Sequence, residues 1–255
     1  MKPLIFDSHA HYDDRQFDAA RDALLAAMPQ NGVGMILNAA TSPASVGQSI
    51  AMAERYPFVY AAIGIHPSEL DTADLSYIDE WAKRYAHPKV VAIGEIGLDY
   101  HYDTFPRERQ REWFERQLAL AKQLDAPVIV HDRDAHEDTL TLLQKYRPRG
   151  VVHCFSGSVE MMREIVKLGM YIGLGGAVTF QNAKKPCAVA AAVDGDRLLL
   201  ETDCPYMAPV PLRGHRCDSS LIIHTAEKIA ELRGVTVEEL LWQTDRNAKT
   251  LFGIS

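Results

Sequence analysis

Two histidines separated by a single residue, His9 and His11, lie at the end of the first apolar run of the chain. In a β-strand, residues i and i+2 point to the same face about 7 Å apart, so both imidazoles can reach one metal ion. On its own, such a pair would more often be two histidines that close an edge strand. Further histidines and carboxylates at the ends of other apolar runs favour a metal site instead.

Six side chains of ligand type follow or end separate apolar runs: His9, His11, Glu95, His131, His153 and Asp203. Burying so many polar groups without partners is costly, and a metal ion is a partner for all of them. The set contains no thiolate, which suits Zn, Mg, Mn or Fe and disfavours a closed structural zinc site. Because one tetrahedral ion cannot use six ligands, we expect two divalent ions about 3.5–4 Å apart, bridged by Glu95. Such a pair generates hydroxide at neutral pH, which is hydrolytic chemistry.

Short β-rich runs alternate with amphipathic segments along the chain, which predicts repeated strand–helix units. The predicted strands comprise residues 4–11, 33–41, 58–66, 89–99, 126–133, 150–157, 170–180 and 197–205. Helical periodicity is found in segments such as 21–28, 76–85, 108–124, 138–146 and 160–169, and twice between about 220 and 252. Eight units in 255 residues are typical of an α/β protein with a (β/α)8 TIM-type barrel, whose strands end at one mouth. An open doubly wound sheet is the alternative, but no G-x-G-x-x-G turn follows the first strand.

Composition constrains the number of domains, the location and the partners. With 47% hydrophobic residues and no linker-like stretch, the chain predicts a single domain over residues 1–255. The four cysteines lack C-x-x-C spacing, and the first apolar run is too short and polar for a signal peptide or membrane span. We therefore expect a cytoplasmic protein with no membrane association and no obligate protein partner. A net charge of -7 disfavours a broad nucleic-acid-coating surface but allows a small basic pocket.

A set of short strings together resembles the TatD-like metal-dependent hydrolases, a branch of the amidohydrolase-like barrels, over essentially the whole chain. They are DSHAHYD at 7–13, GIHP at 64–67, GEIGLDY at 94–100, HDRDA at 131–135, HCFSG at 153–157, GLGG at 173–176, ETDCPY at 201–206, PLRGHR at 211–216 and NAKTLFG at 247–253. The resemblance implies that one ion is bound by His9, His11, Glu95 and Asp203. It implies that Glu95, His131 and His153 bind a second ion. It also implies metal-dependent deoxyribonuclease activity, which in some members removes nucleotides from DNA 3′ ends.

Residue chemistry and the resemblance suggest further roles. We interpret Asp203 as the general base, because a carboxylate at the edge of a metal centre can orient a water and take its proton. A simple ligand role is the alternative. His66 is not needed in either ion's shell, and the resemblance favours contact with the substrate or leaving group over a plain rim position. Arg133, Arg213 and Arg216 are the predicted phosphate contacts, since Arg133 shares the inward face of strand five with His131 and the other two lie in the loop after strand eight at the mouth.

Two departures from the family pattern bear on substrate preference. The chain has Cys217, Asp218 and Ser219 where members commonly carry Asn-Glu-Pro after the second arginine of the R-G-x-R string. Asp132 places an extra acid in the fifth strand, close to the predicted anion site.

The leading functional hypothesis is a two-metal deoxyribonuclease that trims the ends of single-stranded DNA or acts on short nucleotide substrates. A second is a two-metal hydrolase of a small ester, lactone or aminoacyl substrate, since metal-bound hydroxide attacks carbonyl and phosphoryl centres alike. A third is a metal-binding accessory protein without turnover. Arginines at the mouth favour phosphate, whereas an apolar pocket would favour a carbonyl substrate.

Overall fold

Parallel strands follow one another around one sheet in sequence order in the computed structural model, which describes residues 4–71, 73–102 and 104–254. The strands are β1 (Ile5–Ala10), β2 (Val33–Ala39), β3 (Val59–Ile63), β4 (Val90–Asp99), β5 (Val128–Arg133), β6 (Gly150–Val152), β7 (Tyr171–Leu174) and β8 (Leu198–Leu200). A parallel bridge between Ala10 and Cys204 joins the last strand to the first, and Asp203 N donates to His9 O at 3.0 Å. The eight strands therefore form the (β/α)8 barrel that the sequence predicts.

Helices follow the strands and cover the outside of the barrel. In the described part of the chain they are α1 (Arg21–Ala27), α2 (Pro43–Arg55), α3 (Ser76–Arg84), α4 (Arg107–Leu124), α5 (His136–Tyr146), α6 (Val159–Lys167), α7 (Lys184–Ala192), α8 (Ile222–Arg233) and α9 (Val237–Phe252). Apolar residues of the helices, such as Trp81, Phe114 and Leu118, pack with strand residues such as Ile63 and Val130 in the outer core. None of the described helices has the length and apolar character needed to cross a membrane.

The amino-terminal end of the barrel is closed by apolar packing. One residue from each strand contributes to this layer: Phe6, Leu37, Ala62, Ala92, Ile129, Val151, Tyr171 and Leu199. The last helix packs Leu251 and Phe252 against the layer, and the rings of Phe6 and Phe252 stack with centroids 6.3 Å apart. A capping box between Thr236 and Glu239 starts that helix by satisfying free backbone N–H groups. We call this part of the molecule the closed end.

The strands at the opposite end, the mouth, are shorter than predicted. His66, His153 and Asp203 lie beyond the last residues of β3, β6 and β8, and Gly176–Thr179 forms a 3-10 helix where the sequence predicts a continuing strand. The backbone takes left-handed φ values of 42° at Cys154 and 60° at Asp203, which strand geometry does not allow. The predicted ends of β3, β6, β7 and β8 were therefore wrong by a few residues, whereas β4 and β5 end as predicted, and the polar residues still lie at the mouth.

Candidate metal centre

Glu95 of β4 lies at the centre of a buried cluster at the mouth. Its Oε2 atom is 3.3 Å from His9 Nε2 and 3.4 Å from His11 Nε2. Its Oε1 atom is 2.8 Å from His153 Nε2 and 2.9 Å from His131 Nδ1. The two carboxylate oxygens thus face different pairs of imidazoles, which is the arrangement of a bridging ligand.

Asp203 completes one side of the cluster. Its Oδ1 atom is 3.3 Å from His11 Nε2 and 3.7 Å from His9 Nε2. His9, His11 and Asp203 each offer a ligand atom within 4.8 Å of the other two, and so do His9, Glu95 and His153. All six side chains predicted as ligands are therefore brought together, although they come from five different strands or the segments after them.

The strand β1 brings its two histidines to one point. The Nε2 atoms of His9 and His11 are 3.0 Å apart, as their spacing predicts. The pairing of β1 with β2 shifts register between Asp7 and Ala10, at the position of His9. Such irregularities in a strand re-aim side chains and are common beside functional sites. The two histidines are therefore brought together by the two-residue repeat of the strand and by an irregularity in its pairing with β2.

The strand β4 also deviates from regular pairing at its ligand. Its register against β5 shifts between Ile93 and Ile96, on either side of Glu95. Gly97 pairs with His131 and has a φ of 147°, and a Cβ at this position would lie 2.0 Å from the His131 carbonyl oxygen. Only glycine lets the two strands approach this closely, so Gly97 sets the distance between Glu95 and His131.

Two of the imidazoles are oriented by hydrogen bonds on their outer nitrogens. His11 Nδ1 donates to the Ala39 carbonyl oxygen at 2.8 Å, which leaves the Nε2 lone pair directed into the cluster. His131 Nε2 donates to Asp99 Oδ2 at 3.1 Å, which leaves Nδ1 directed at Glu95. Sequence reasoning missed Asp99. It lies on the same strand face as Glu95, four positions along, and this period of two could have identified it.

The charges in the cluster are strongly coupled. Burial alone would raise the pKa of Glu95, but its electrostatic interactions with the surrounding imidazoles, above all that of His153, and its hydrogen bond from His131 hold it well below its ordinary value. Burial would lower the pKa of His11, but its hydrogen bond to Asp203 and the charge of Glu95 raise it to about 10. The carboxylates are therefore ionised, and positive charge balances them.

His66 lies at the edge of the cluster with Nε2 3.5 Å from Glu95 Oε1. Its Nδ1 accepts a hydrogen bond from the Ser68 backbone N–H at 3.1 Å, so the ring proton of the neutral form is on Nε2. Burial, opposed only in part by Glu95, lowers the pKa of His66 to about 3. The side chain is therefore a neutral hydrogen-bond donor that points towards the centre.

Two further carboxylates, Glu201 and Asp7, are buried beside the cluster. Glu201 Oε1 is 3.8 Å from His153 Nδ1 and accepts from the Cys154 backbone N–H. Burial raises the pKa of Glu201 to about 8. Asp7 accepts from the Thr202 backbone N–H at 3.0 Å and from its hydroxyl at 2.7 Å. Asp7 thus holds the segment that leads to Asp203.

The three arginines predicted to bind phosphate lie at the mouth, Arg133 at the end of β5 and Arg213 and Arg216 in the loop after β8, and each covers an aromatic ring. The Arg133 guanidinium carbon is 4.7 Å from the Tyr102 ring centroid, and that of Arg213 is 4.2 Å from the Phe180 centroid. Arg216 lies over the buried ring of Phe17 at 5.1 Å and its Nη1 donates to the Gln16 carbonyl oxygen at 2.6 Å. All three arginines are exposed.

The departures from the family pattern have structural roles. The Asp132 carboxylate is buried and bonds to His136 Nδ1 at 2.8 Å, at the start of α5 on the outer side of β5. Cys217 is buried, and Asp218 accepts from Ser220 N and caps the short 3-10 helix Ser219–Leu221. These residues do not place an acid in the path to Glu95.

The donor set fits a divalent metal ion. Imidazole nitrogens and carboxylate oxygens converge, while His9 Nδ1, His153 Nδ1 and Glu201 Oε2 are buried without a hydrogen-bond partner. A protein seldom buries so many polar atoms at one point unless a cation compensates for their desolvation. The barrel and this site together define a metal-dependent hydrolase.

Comparison with known proteins gives the family. The model of the TatD related DNase family matches residues 6–253, and the chain belongs to that family. The metal-dependent hydrolase YabD of Bacillus subtilis is 44% identical over 257 residues, which cover 99% of this chain and 100% of YabD. The 3′-5′ ssDNA/RNA exonuclease TatD of Escherichia fergusonii is 34% identical and covers 98% of this chain and 100% of its own. The crystal structure of the TatD homologue YjjV from Escherichia coli K12 superposes with a TM-score of 0.93 at 36% identity, covering 98% of each chain.

Proposed function

We propose that this enzyme is a two-metal nuclease that removes nucleotides from the ends of single-stranded DNA. We propose further that it acts in the cytoplasm and that the whole chain forms a single domain. The observation that carries the proposal is Glu95, whose two oxygens face two separate pairs of imidazoles. His9, His11, Glu95 and Asp203 would hold one ion, and Glu95, His131 and His153 the other. Zn, Mg, Mn and Fe all suit these ligands.

Divalent ions bound at these residues would supply a water nucleophile activated at neutral pH and would stabilise the charge of the leaving oxygen. The chain's own groups then move protons and orient the substrate. Asp203 directs Oδ1 at His9 and His11, which leaves Oδ2 as the oxygen that takes the proton of the attacking water. Burial raises the pKa of Asp203, but the hydrogen bond from His11 more than offsets this, so the carboxylate is ionised and able to act as a base.

His66 is the proposed contact to the substrate or leaving group. Because its Nδ1 accepts from Ser68, Nε2 carries the proton and can donate to a phosphate oxygen. The same proton prevents Nε2 from acting as a metal ligand, although His66 lies in one potential ligand group with Asp99 and His131. Asp99 instead orients His131, as carboxylates commonly orient metal-binding histidines.

The exposed arginines at the mouth and the similarity to a relative both support a nucleic-acid substrate. Arg133, Arg213 and Arg216 are exposed around the mouth, and their planar guanidinium groups suit phosphate oxygens. The name of the Escherichia fergusonii relative specifies single-stranded nucleic acid and the 3′ to 5′ direction. This support makes the carbonyl-ester alternative and the accessory-protein alternative the weaker hypotheses.

The depth of the centre favours strand ends. His9 and Glu95 are 0% and 2% exposed, so a phosphodiester must enter the barrel to reach them. A frayed or single-stranded end can do so, whereas the backbone of an intact duplex is held on a wide cylinder.

A linear single strand and a covalently closed circular single strand of the same sequence test this proposal, each incubated with Mg, Mn, Zn or Fe separately. We expect a 5′-labelled linear strand to give a ladder of progressively shortened products and the circle to persist. A chelator should abolish the ladder. Equal cleavage of the circle would show that an end is not required and would contradict the proposal.

A further inference from the structure

Two exposed tyrosines lie at the mouth, each three residues after a carboxylate of the site. Tyr102 is 56% exposed, and its backbone N–H donates to Asp99 Oδ1 at 3.1 Å. Tyr206 is 50% exposed, and its backbone N–H donates to the Asp203 carbonyl oxygen at 3.0 Å. The backbone of each tyrosine is therefore held close to the reacting centre by a tight turn.

The two rings lie on opposite sides of the mouth. Tyr102 follows β4 and Tyr206 follows β8, and these strands are four apart in either direction around the closed barrel. A strand that enters between them must pass one ring on each side. A phosphodiester at Glu95 would therefore have a tyrosine near each of the two nucleosides that it joins.

Each tyrosine has an arginine in its surroundings. The Arg133 guanidinium lies 4.7 Å from the Tyr102 ring centroid. The hydroxyl of Tyr206 donates to Asp14 Oδ2 at 2.8 Å, and Arg216 binds the Gln16 carbonyl oxygen in the same loop. At Tyr102, an aromatic ring beside a cation matches a nucleotide, which has a flat base and an anionic phosphate, whereas the ring of Tyr206 is held at its hydroxyl by Asp14 and stays half exposed.

We propose that Tyr102 and Tyr206 stack against two bases of a single-stranded nucleic acid, one on each side of the scissile phosphate. This inference rests on the proposed nuclease function and names the part of the substrate that sets its affinity. Stacking on an aromatic ring tolerates any base, because every base has a π face. The enzyme then binds strands that carry bases more tightly than abasic strands. This preference does not depend on the base sequence.

The test compares two short 5′-labelled single strands, one normal and one with abasic residues at its two 3′-terminal positions. Binding is measured by fluorescence anisotropy at low salt with a chelator present, and kcat/KM is measured with metal. For the normal strand, we expect Tyr102→Ala and Tyr206→Ala each to raise Kd about 10-fold, within the range for loss of one base–aromatic stack. Their Kd for the abasic strand should equal that of the wild type.

Two control variants separate stacking from structure. Tyr102→Phe keeps the ring and should bind both strands like the wild type. Trp242→Ala removes an aromatic side chain that is 46% exposed on α9 at the closed end, and it should also change nothing. Thermal unfolding confirms that each variant is folded.

Each outcome decides the question. Equal wild-type Kd for the two strands, or equal weakening of both strands by the tyrosine variants, would overturn the stacking role. If metal-loaded wild type cleaves neither strand but still binds the normal strand through these tyrosines, the nuclease proposal fails and the stacking role stands.

Discussion

The two ends of the barrel are built from the same strands but have opposite chemistry. At the closed end, each strand contributes one apolar residue to a layer that the last helix covers. At the mouth, the same strands or the segments after them present imidazoles and carboxylates, and His9 Nδ1 and His153 Nδ1 are buried without hydrogen bonds. The closed end is packed as a core, whereas the polar atoms of the mouth are not satisfied by the protein alone.

This difference indicates that the closed end mainly stabilises the fold and that the mouth mainly serves function. Burial of apolar surface at the closed end is favourable in itself. Burial of charged and polar groups at the mouth costs free energy unless a partner compensates for it. We therefore expect substitutions at the closed end to change stability at constant turnover, and substitutions at the mouth to change turnover or metal binding at nearly constant stability.

The largest effect is expected from Phe252→Ala at the closed end. The side chain is 5% exposed and stacks on Phe6, so its loss leaves a cavity in the layer. The free energy of unfolding should fall by about 3–5 kcal/mol. Urea unfolding of the metal-loaded protein measures this, and kcat of the folded fraction should stay at the wild-type value. Trp242→Ala, on the same helix but exposed, should change stability by no more than about 0.5 kcal/mol. If Phe252→Ala kept normal stability but lost activity, the assignment of stability to the closed end and of function to the mouth would be contradicted.

At the mouth, Asp203→Asn should lower kcat by at least about 10²-fold, because the amide keeps the shape but cannot accept the proton. Asp132→Asn is the matched control, since this carboxylate faces His136 on the outside of the barrel, and its turnover should stay near the wild-type value. Steady-state kinetics with metal content measured in parallel checks both. Wild-type turnover of Asp203→Asn would show that another group is the base.

Metal binding should be coupled to proton release. Burial would lower the pKa of His131, but Asp99 and Glu95 raise it to about 9, and the pKa of His11 is raised to about 10. Metal-free protein near neutral pH therefore holds protons at nitrogens that must be free to bind metal, and roughly two protons should leave per chain on loading. Calorimetry in buffers of different ionisation enthalpy measures this release.

The sign of the pH dependence follows from these raised values. In the metal-free protein, the His11 and His131 ion pairs contribute stability that is complete below the unfolded pKa of about 6.5. This contribution is lost as the pH rises through the folded values of about 9 and about 10. Apparent metal affinity should do the opposite and increase over the same pH range. A metal affinity independent of pH would contradict the assignment of His11 and His131 as ligands.

The smallest effect is expected from Arg213→Ala. If this exposed side chain at the mouth contacts one phosphate, the salt dependence of log Kd for single-stranded DNA should lose about one unit of slope. Arg246→Ala, an exposed arginine on α9 at the closed end, should leave the slope unchanged. Equal slopes for both variants would remove Arg213 from the nucleic-acid interface.

Much of the site could be predicted because its residues occupy a regular place in the fold. Polar residues at the carboxyl ends of strands in a closed parallel barrel can only meet at one mouth, so the grouping of Glu95 with the four candidate histidine ligands follows from strand assignment alone. Asp99 was missed because its role depends on the distance to His131 Nε2, which pairing between β4 and β5 decides. The partner of Asp132 was not predicted for the same reason, since His136 lies on the next helix.

The sequence by itself determined the barrel, the family and the candidate ligands, because the period of strands and helices and the residue types are local properties of the chain. Only the tertiary structure decided how these groups are oriented. The two faces of Glu95, the proton position on His66 and the opposite placement of Tyr102 and Tyr206 all depend on contacts between residues far apart in sequence. Such contacts are set by strand register and barrel closure. No short stretch of sequence specifies either of these.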